Sequence, residues 1–333
     1  MRLSFEYVQE QLERVLIEHG SPEDKAKKVS YEMARNSLEG TYSHGINRFA
    51  KLIKDIDNGL VKTDEEPVIV NGFGGIENYD GKLGLGITNA QFCMDRAIEL
   101  AKEHGVGIVA IKNTNHWLRA ATYGYQACDA GMAGICFTNT MPNMPTWGAV
   151  DSRIGNNPLV LAFPRKKGHM IVDMAMSQFS SGALEVARLE NRQMSIDAGF
   201  DRDGNLTKDP DGVLKSGRIL PTGYWKGAAL SFMLDIFAST IAMGRSVVEI
   251  GKLEGDEHGV SQVFMAINYK EIVGEDVAEQ IADNAVEDLL ASEKGEHTDR
   301  IVYPGQRMHE YKADNLEHGI PVNERIWNKI MSL

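Results

Sequence analysis

The chain has 333 residues, 43% of them hydrophobic, with 47 acidic against 35 basic side chains and a net charge of −12. That length suggests two domains with sizeable cores, and that charge argues against a broad basic footprint for nucleic acid. Cys93, Cys128 and Cys136 form neither a metal spacing nor a disulfide framework; no run reaches the ~18 apolar residues of a membrane span. The opening MRLSFEYVQEQLERV carries early acidic residues and no apolar core, so no secretory signal is expected. A reducing, cytoplasmic protein is the expectation.

Phe5, Val8, Leu12, Val15 and Leu16 recur at helical spacing and predict a helix over 5–19, ending near Gly20. SPED at 21–24 predicts the next start, with Ser21 as cap, Pro22 at the first helical position and Glu23 and Asp24 at the positive dipole end. That helix should run to about Glu39. A third is expected after Arg48, stopping near Gly59. The pattern then changes to short strands and glycine turns. A helix over 88–103 should end at Gly105. Strands are expected at Val106–Ile111, Gly134–Thr138, Leu159–Phe163, Met170–Met174 and Val263–Ile267, and helices near 121–130, 180–193 and 275–293. Residues 199–218 read as an exposed, turn-rich connection. GYWKGAALSFMLDIFASTIAMG at 223–244 reads as one long buried helix, and the tail after Asp314 as helical. This order is mixed α/β and does not alternate cleanly as βαβαβ.

Nucleotide signatures are absent. Glu77, Asn89 and Ala110 stand where the third glycine of G-x-G-x-x-G would follow Gly72-Phe73-Gly74, Gly84-Leu85-Gly86 and Gly105-Val106-Gly107. Three stretches carry candidate chemistry. GTYSHGINRF at 40–49 puts Ser43, His44 and Arg48 in one short turn, a titratable ring beside a fixed cation. NTNHWLRAATYGY at 113–125 brings His116, Trp117 and Arg119 after a strand, where sites tend to be built. Residues 137–164 form a long polar insert rich in amides and hydroxyls: Thr138, Asn139, Thr140, Asn143, Asn156 and Asn157.

The bland readings stand beside these. His44 and His116 lack a metal spacing such as H-E-x-x-H. Ser43 lacks a nucleophile elbow, and adjacent side chains seldom face each other. Arg165-Lys166-Lys167 reads as a solvated turn. Trp225-Lys226 reads either as packing with a snorkelling amine or as a cation placed for phosphate at a helix start. On these residues alone an enzyme and a binding protein both stay open.

YSHGINRF, NHW, WG…RIGNNPL, VDMAMSQFS and ILPTGYWKGAALSFMLD, in that order, resemble the malate/L-lactate/sulfolactate dehydrogenase family. The resemblance runs from the first helix to the tail. It implies a non-Rossmann nicotinamide-binding fold, which accounts for the missing glycine signature. It also implies a mixed-sheet NAD(P)-binding domain over 71–303, with a helical and loop insertion near 178–225, and a helical domain made by 1–70 with 304–333. Homodimers and reduction of a 2-oxo acid by hydride transfer are implied as well.

Carried over by position, His44 is the proton donor, and Ser43, Arg48 and His116 lie on the substrate side. The cofactor-contacting positions are His169, Met170, Ile171, Val172, Asp173, Met174 and Ala175, then Trp225 and Lys226, then Gly305, Gln306 and Arg307. NADH is the expected cofactor. NADPH stays open, because Arg307 stands where the resembled subgroup has glutamate, and an arginine there could accept a 2′-phosphate. No metal, nucleic acid or membrane partner is implied. Malate, lactate and ureidoglycolate are alternative substrates within the family; a non-catalytic sugar-acid binding protein and a metal-dependent hydrolase are the alternatives of another class.

Overall fold

The computed structural model describes residues 1–296 and 298–333. β1 (Arg2–Leu3) leads into α1 (Phe5–Glu18), whose cap Ser4 accepts from the Tyr7 amide. The stripe Val8, Leu12, Val15 and Leu16 is fully buried, as helical spacing requires. α2 (Glu23–Leu38) starts one residue later than SPED suggests. Pro22 has the extended ψ of 143° and takes the cap position, while the Ser21 hydroxyl is buried without a partner. A 3₁₀ turn at Tyr42–His44 precedes α3 (Ile46–Asp57). This helix begins before Arg48, because the Ser37 hydroxyl accepts the Ile46 amide at 2.9 Å. Arg48 is thereby placed in the first turn of α3.

A seven-stranded sheet follows, with β2 (Val68–Phe73), β3 (Ile76–Asp80), β4 (Val106–Thr114) and β5 (Ala133–Thr138). A small hairpin, β6 (Met144–Pro145) and β7 (Ser152–Ile154), interrupts it before β8 (Leu159–Phe163) and β9 (Met170–Met174). The order, completed by the later strand β12 (Val260–Ile267), is β2-β3-β4-β12-β5-β8-β9. Only β3 and β4 are parallel neighbours; every other pairing is antiparallel. α4 (Gly86–His104) and α5 (Ala121–Asp129) cover one face, around Val109, Ile111, Trp117, Tyr123 and Phe264.

The 199–218 stretch is not a bare connection. After α6 (Ser181–Leu189) it folds as the hairpin β10 (Gly199–Phe200) and β11 (Leu206–Thr207), then α7 (Pro210–Ser216). Asp209 caps α7 by accepting the Asp211 and Gly212 amides, with Pro210 inside the start and left-handed Gly217 at the end. These elements are too short for periodicity to register.

α8 (Trp225–Ile241) covers the other sheet face. Ala228, Leu234 and Ala238 pack there with Ala110, Phe137 and Val263. The expected buried helix is only half right. Leu230, Phe232, Met233, Ile236 and Phe237 are exposed, because one helix face can meet the sheet and the sequence is apolar all round. α9 (Val247–Ile250), β12 (Val260–Ile267), α10 (Lys270–Val273) and α11 (Glu275–Leu290) follow. The tail forms α12 (Gln306–His318), β13 (Ile320–Pro321) and α13 (Glu324–Met331). It is interrupted rather than continuously helical, since Gly319 has φ +84. β13 pairs with β1, and Ile320, Trp327 and Ile330 join Leu12, Met33, Phe49 and Ile53 in one core shared by both chain ends. No helix among the described residues is long and apolar enough to cross a membrane.

Candidate active site

The turn between α2 and α3 holds His44 from several sides. Its backbone carbonyl accepts the Asn36 side-chain amide at 2.9 Å. Ser43 Oγ lies 2.9 Å from His44 Nδ1. Adjacent side chains do meet here, within the 3₁₀ turn. Occupying Nδ1 leaves Nε2 as the nitrogen turned to the rest of the site. The ring stacks on His116, with centroids 5.8 Å apart and planes at 28°. His116 follows β4, and its Nδ1 accepts the Leu118 amide at 2.9 Å. Nδ1 is thus an acceptor and Nε2 carries the proton of the neutral ring.

Burial, then Arg48, then Arg119, push the pKa of His44 down to about 4. Burial, then Arg48 and His44, push His116 well below its ordinary value. Arg48 is half-buried and forms no ion pair among the described residues. One turn on, Lys51 pairs with Asp55 and Asp256. A fixed guanidinium beside two neutral imidazoles can bind a carboxylate and hold a proton close to it.

Two of the stretches expected on the cofactor side reach the third, which is β9. β9 carries Met170–Met174, and the Ile171 amide donates to the Pro304 carbonyl at 3.1 Å. Gly305 has φ +97, and a Cβ there would come within 3.0 Å of the His169 carbonyl. Only glycine lets this strand and the start of α12 approach so closely. At the far end of β9, the Thr222 amide donates to Met176, which ties the approach to α8, and so Trp225 and Lys226, to the strand. The Gly182 Cα region lies against Ser43, with 3.2 Å from an added Cβ to the Ser43 Cβ. The start of α12 thus meets the first residues of β9, the approach to α8 meets its far end, and α6, which follows β9, packs against Ser43 of the His44 turn. Lys226 and Arg307 are exposed. The His169 side chain is engaged elsewhere, with Nε2 3.1 Å from Asp129, and Asp173 accepts the Ala121 amide at the start of α5.

Two readings change. Arg165 is not part of a solvated turn: it is 6% exposed and pairs with Asp283 at 2.6 Å. Arg119 does not line the site but lies behind it, 2% exposed, paired with Glu39. Glu39 also holds Arg35 at 3.0 Å and Lys312 at 3.6 Å. This cluster joins the end of α2, the turn after β4 and α12 behind His44. Sequence singles out Arg119 but not its partner, 80 residues earlier. Glu257, facing α3, had no sequence signal at all. No group of three or more potential metal ligands occurs among the described residues.

The malate/L-lactate dehydrogenase family model matches residues 3–331. The chain is 41% identical over 333 residues to 2,3-diketo-L-gulonate reductase of Escherichia coli, covering all of both. It superposes on sulfolactate dehydrogenase from Methanocaldococcus jannaschii with a TM-score of 0.91 at 29% identity, over 99% of this chain and 95% of that one. Against malate dehydrogenase from Pyrococcus horikoshii the TM-score is 0.90 at 27% identity, over 100% and 95%. The chain belongs to the malate/L-lactate dehydrogenase family and is an oxidoreductase that works with a nicotinamide cofactor on 2-hydroxy or 2-oxo acids.

Proposed function

We propose that the enzyme reduces 2,3-diketo-L-gulonate at C2 to 3-keto-L-gulonate, with NADH as reductant and His44 as proton donor. The observation that carries this reading is the assembled turn: His44 bonded to Ser43, stacked on His116, beside an Arg48 with no ion pair among the described residues. Full-length similarity to the Escherichia coli reductase supports the substrate. The cofactor reading is supported by the start of α12 lying against one end of β9 and the approach to the exposed cation Lys226 lying at the other. Bound there, the reduced nicotinamide supplies the hydride.

Arg48 takes the substrate carboxylate. Pairing cancels one of the charges that keep His44 neutral, so the ring can carry a proton once the acid is seated. His44 Nε2 gives that proton to the C2 oxygen as the hydride reaches C2, turning the carbonyl into a hydroxyl. Ser43 fixes the ring through Nδ1. The test is a panel of 2-oxo acids assayed with both nicotinamide cofactors, with His44→Asn beside the wild type. General-acid loss should lower turnover by roughly 10²–10⁴-fold with cofactor binding unchanged. A His44→Asn enzyme within about threefold of wild type would remove the assignment.

The assembly we propose is a homodimer, supported by the exposed apolar face of α8 at Leu230, Phe232, Met233, Ile236 and Phe237. Sedimentation of a monomer at micromolar concentration would count against it. A helical domain of 1–70 with 304–333 beside a sheet domain of 71–303 is supported by the core that both chain ends share. Buried, unbridged Cys93, Cys128 and Cys136 suit a cytoplasmic setting.

A further inference from the structure

α3 presents Arg48, Lys51 and Lys54 on successive turns toward the segment between α9 and β12. Asp256 in that segment sits 3.0 Å from Lys51 and 3.1 Å from Lys54. Its neighbour Glu257 lies in the field of both Arg48 and Lys51. Glu257 is half-buried. One of its oxygens accepts the Met141 amide at 2.7 Å, and no partner for the other occurs among the described residues. Burial raises its pKa, while the Met141 amide, Arg48 and Lys51 oppose the rise.

Met141 belongs to the long polar insert whose role is otherwise unassigned. Thr140 in that insert bonds Asn157 at 3.0 Å, and the Asn156 carbonyl accepts the Met176 amide at 2.7 Å just beyond β9. Gly251 packs directly on Pro142. Glu257 is thus anchored through the insert to the cofactor-side strand and through Asp256 to the helix of Arg48.

We propose that Glu257 selects the substrate tail: it admits a neutral, hydroxyl-bearing tail and repels a second anionic group. Arg48 binds the carboxylate that every 2-oxo acid has. A free carboxylate oxygen close by can accept from a tail hydroxyl, whereas a second carboxylate or a sulfonate brought to the same place meets like charge in a half-buried setting. Asp256, which faces this helix, and Asp55, which belongs to it, are already matched by Lys51 and Lys54. Glu257 forms no ion pair among the described residues. This inference rests on the proposed reduction of a 2-oxo acid, not on diketogulonate as the particular substrate.

The test compares wild type and Glu257→Gln on oxaloacetate, a dianion, and pyruvate, a monoanion, with 2,3-diketo-L-gulonate as the hydroxylated acid. Glutamine's amide oxygen still accepts the Met141 amide, so the segment stays anchored. The kcat/KM ratio of oxaloacetate to pyruvate should rise roughly tenfold in the variant, from loss of one like-charge repulsion, and the gain should shrink in high salt. A ratio that stays within about twofold, or an equal loss on all three acids, overturns the proposal.

Thermal shifts with glycerate and tartronate read the same choice without turnover. Wild type should respond to glycerate more than to tartronate, and the variant should narrow the gap; equal or reversed responses in wild type also overturn it. Wild type that reduces pyruvate but not diketogulonate would sink the proposed substrate while leaving the oxaloacetate comparison decisive for Glu257.

Discussion

Replacing Arg48 by glutamine should raise the pKa of His44 without restoring it to its ordinary value. Burial is the largest cause of the drop from 6.5 to about 4, with Arg48 second and Arg119 third. Burial and Arg119 survive the substitution, so the recovery should be about one pH unit, or about 1.4 kcal/mol. Proton NMR titration of the imidazole C–H signals reads this directly. The chain has nine histidines, and His44→Asn and His116→Asn assign the two that matter. His116 should move upward too, since Arg48 is the second cause of its depression.

The same shift has a consequence for stability. The folded pKa of His44 lies below its unfolded value, so the unfolded chain takes up the proton first as pH falls. The stabilisation is complete above pH 6.5 and is lost as pH falls through the folded value near 4; by pH 5 the loss should reach about 2 kcal/mol. Arg48→Gln should flatten this slope. A wild-type His44 that titrates near 6.5 would refute the buried ring, and an unmoved His44 in Arg48→Gln would show that the guanidinium is directed elsewhere.

Lys226→Ala should raise the KM for the cofactor far more than that for the acid, by the roughly 1.5–3 kcal/mol of a charge-assisted bond; an unchanged cofactor KM in a folded variant would refute phosphate contact. Arg307→Glu should shift the ratio of kcat/KM values toward NADH over NADPH, and a constant ratio would mean that this exposed arginine faces only solvent. Glu39→Gln should lower stability by about 3–5 kcal/mol in urea titration, because it leaves Arg119 buried without a carboxylate. A midpoint equal to wild type would show that the cluster carries no net stability.

The site was legible in sequence where its parts are close along the chain. Ser43, His44 and Arg48 share one turn, and the chemistry of a ring beside a fixed cation survives any uncertainty about where α3 begins. The lining of β9 and the starts of α8 and α12 came from resemblance; no spacing rule would connect Ile171 to Pro304. Contacts across long separations were invisible. Glu39 and Arg119 are 80 residues apart, and Glu257 reaches Met141 over 116. Each of those carboxylates looks like any other surface acid until the fold supplies its neighbour. The exposed half of α8 was hidden for the opposite reason. With apolar residues on every side, its periodicity carries no information about which stripe meets the sheet.

The missing glycine fingerprint has a topological cause. A G-x-G-x-x-G turn works where a strand feeds a helix N-terminus within a parallel βαβ unit. Here β9 is antiparallel to β8 and lies at the sheet edge. The chain leaves it for α6, where Ser180 already occupies the cap by accepting the Ala183 amide at 3.1 Å. α8 starts differently. Gly223 and Tyr224 both have positive φ, 58 and 59, and no side chain caps the helix. A non-glycine residue held there is costly and is kept where the turn serves a site. A helix start without a side-chain cap and the exposed Lys226 beside it are the features on which the proposed phosphate contact rests. In this fold the glycine-rich loop is therefore replaced, in the reading proposed here, by a strained helix start with one lysine beside it.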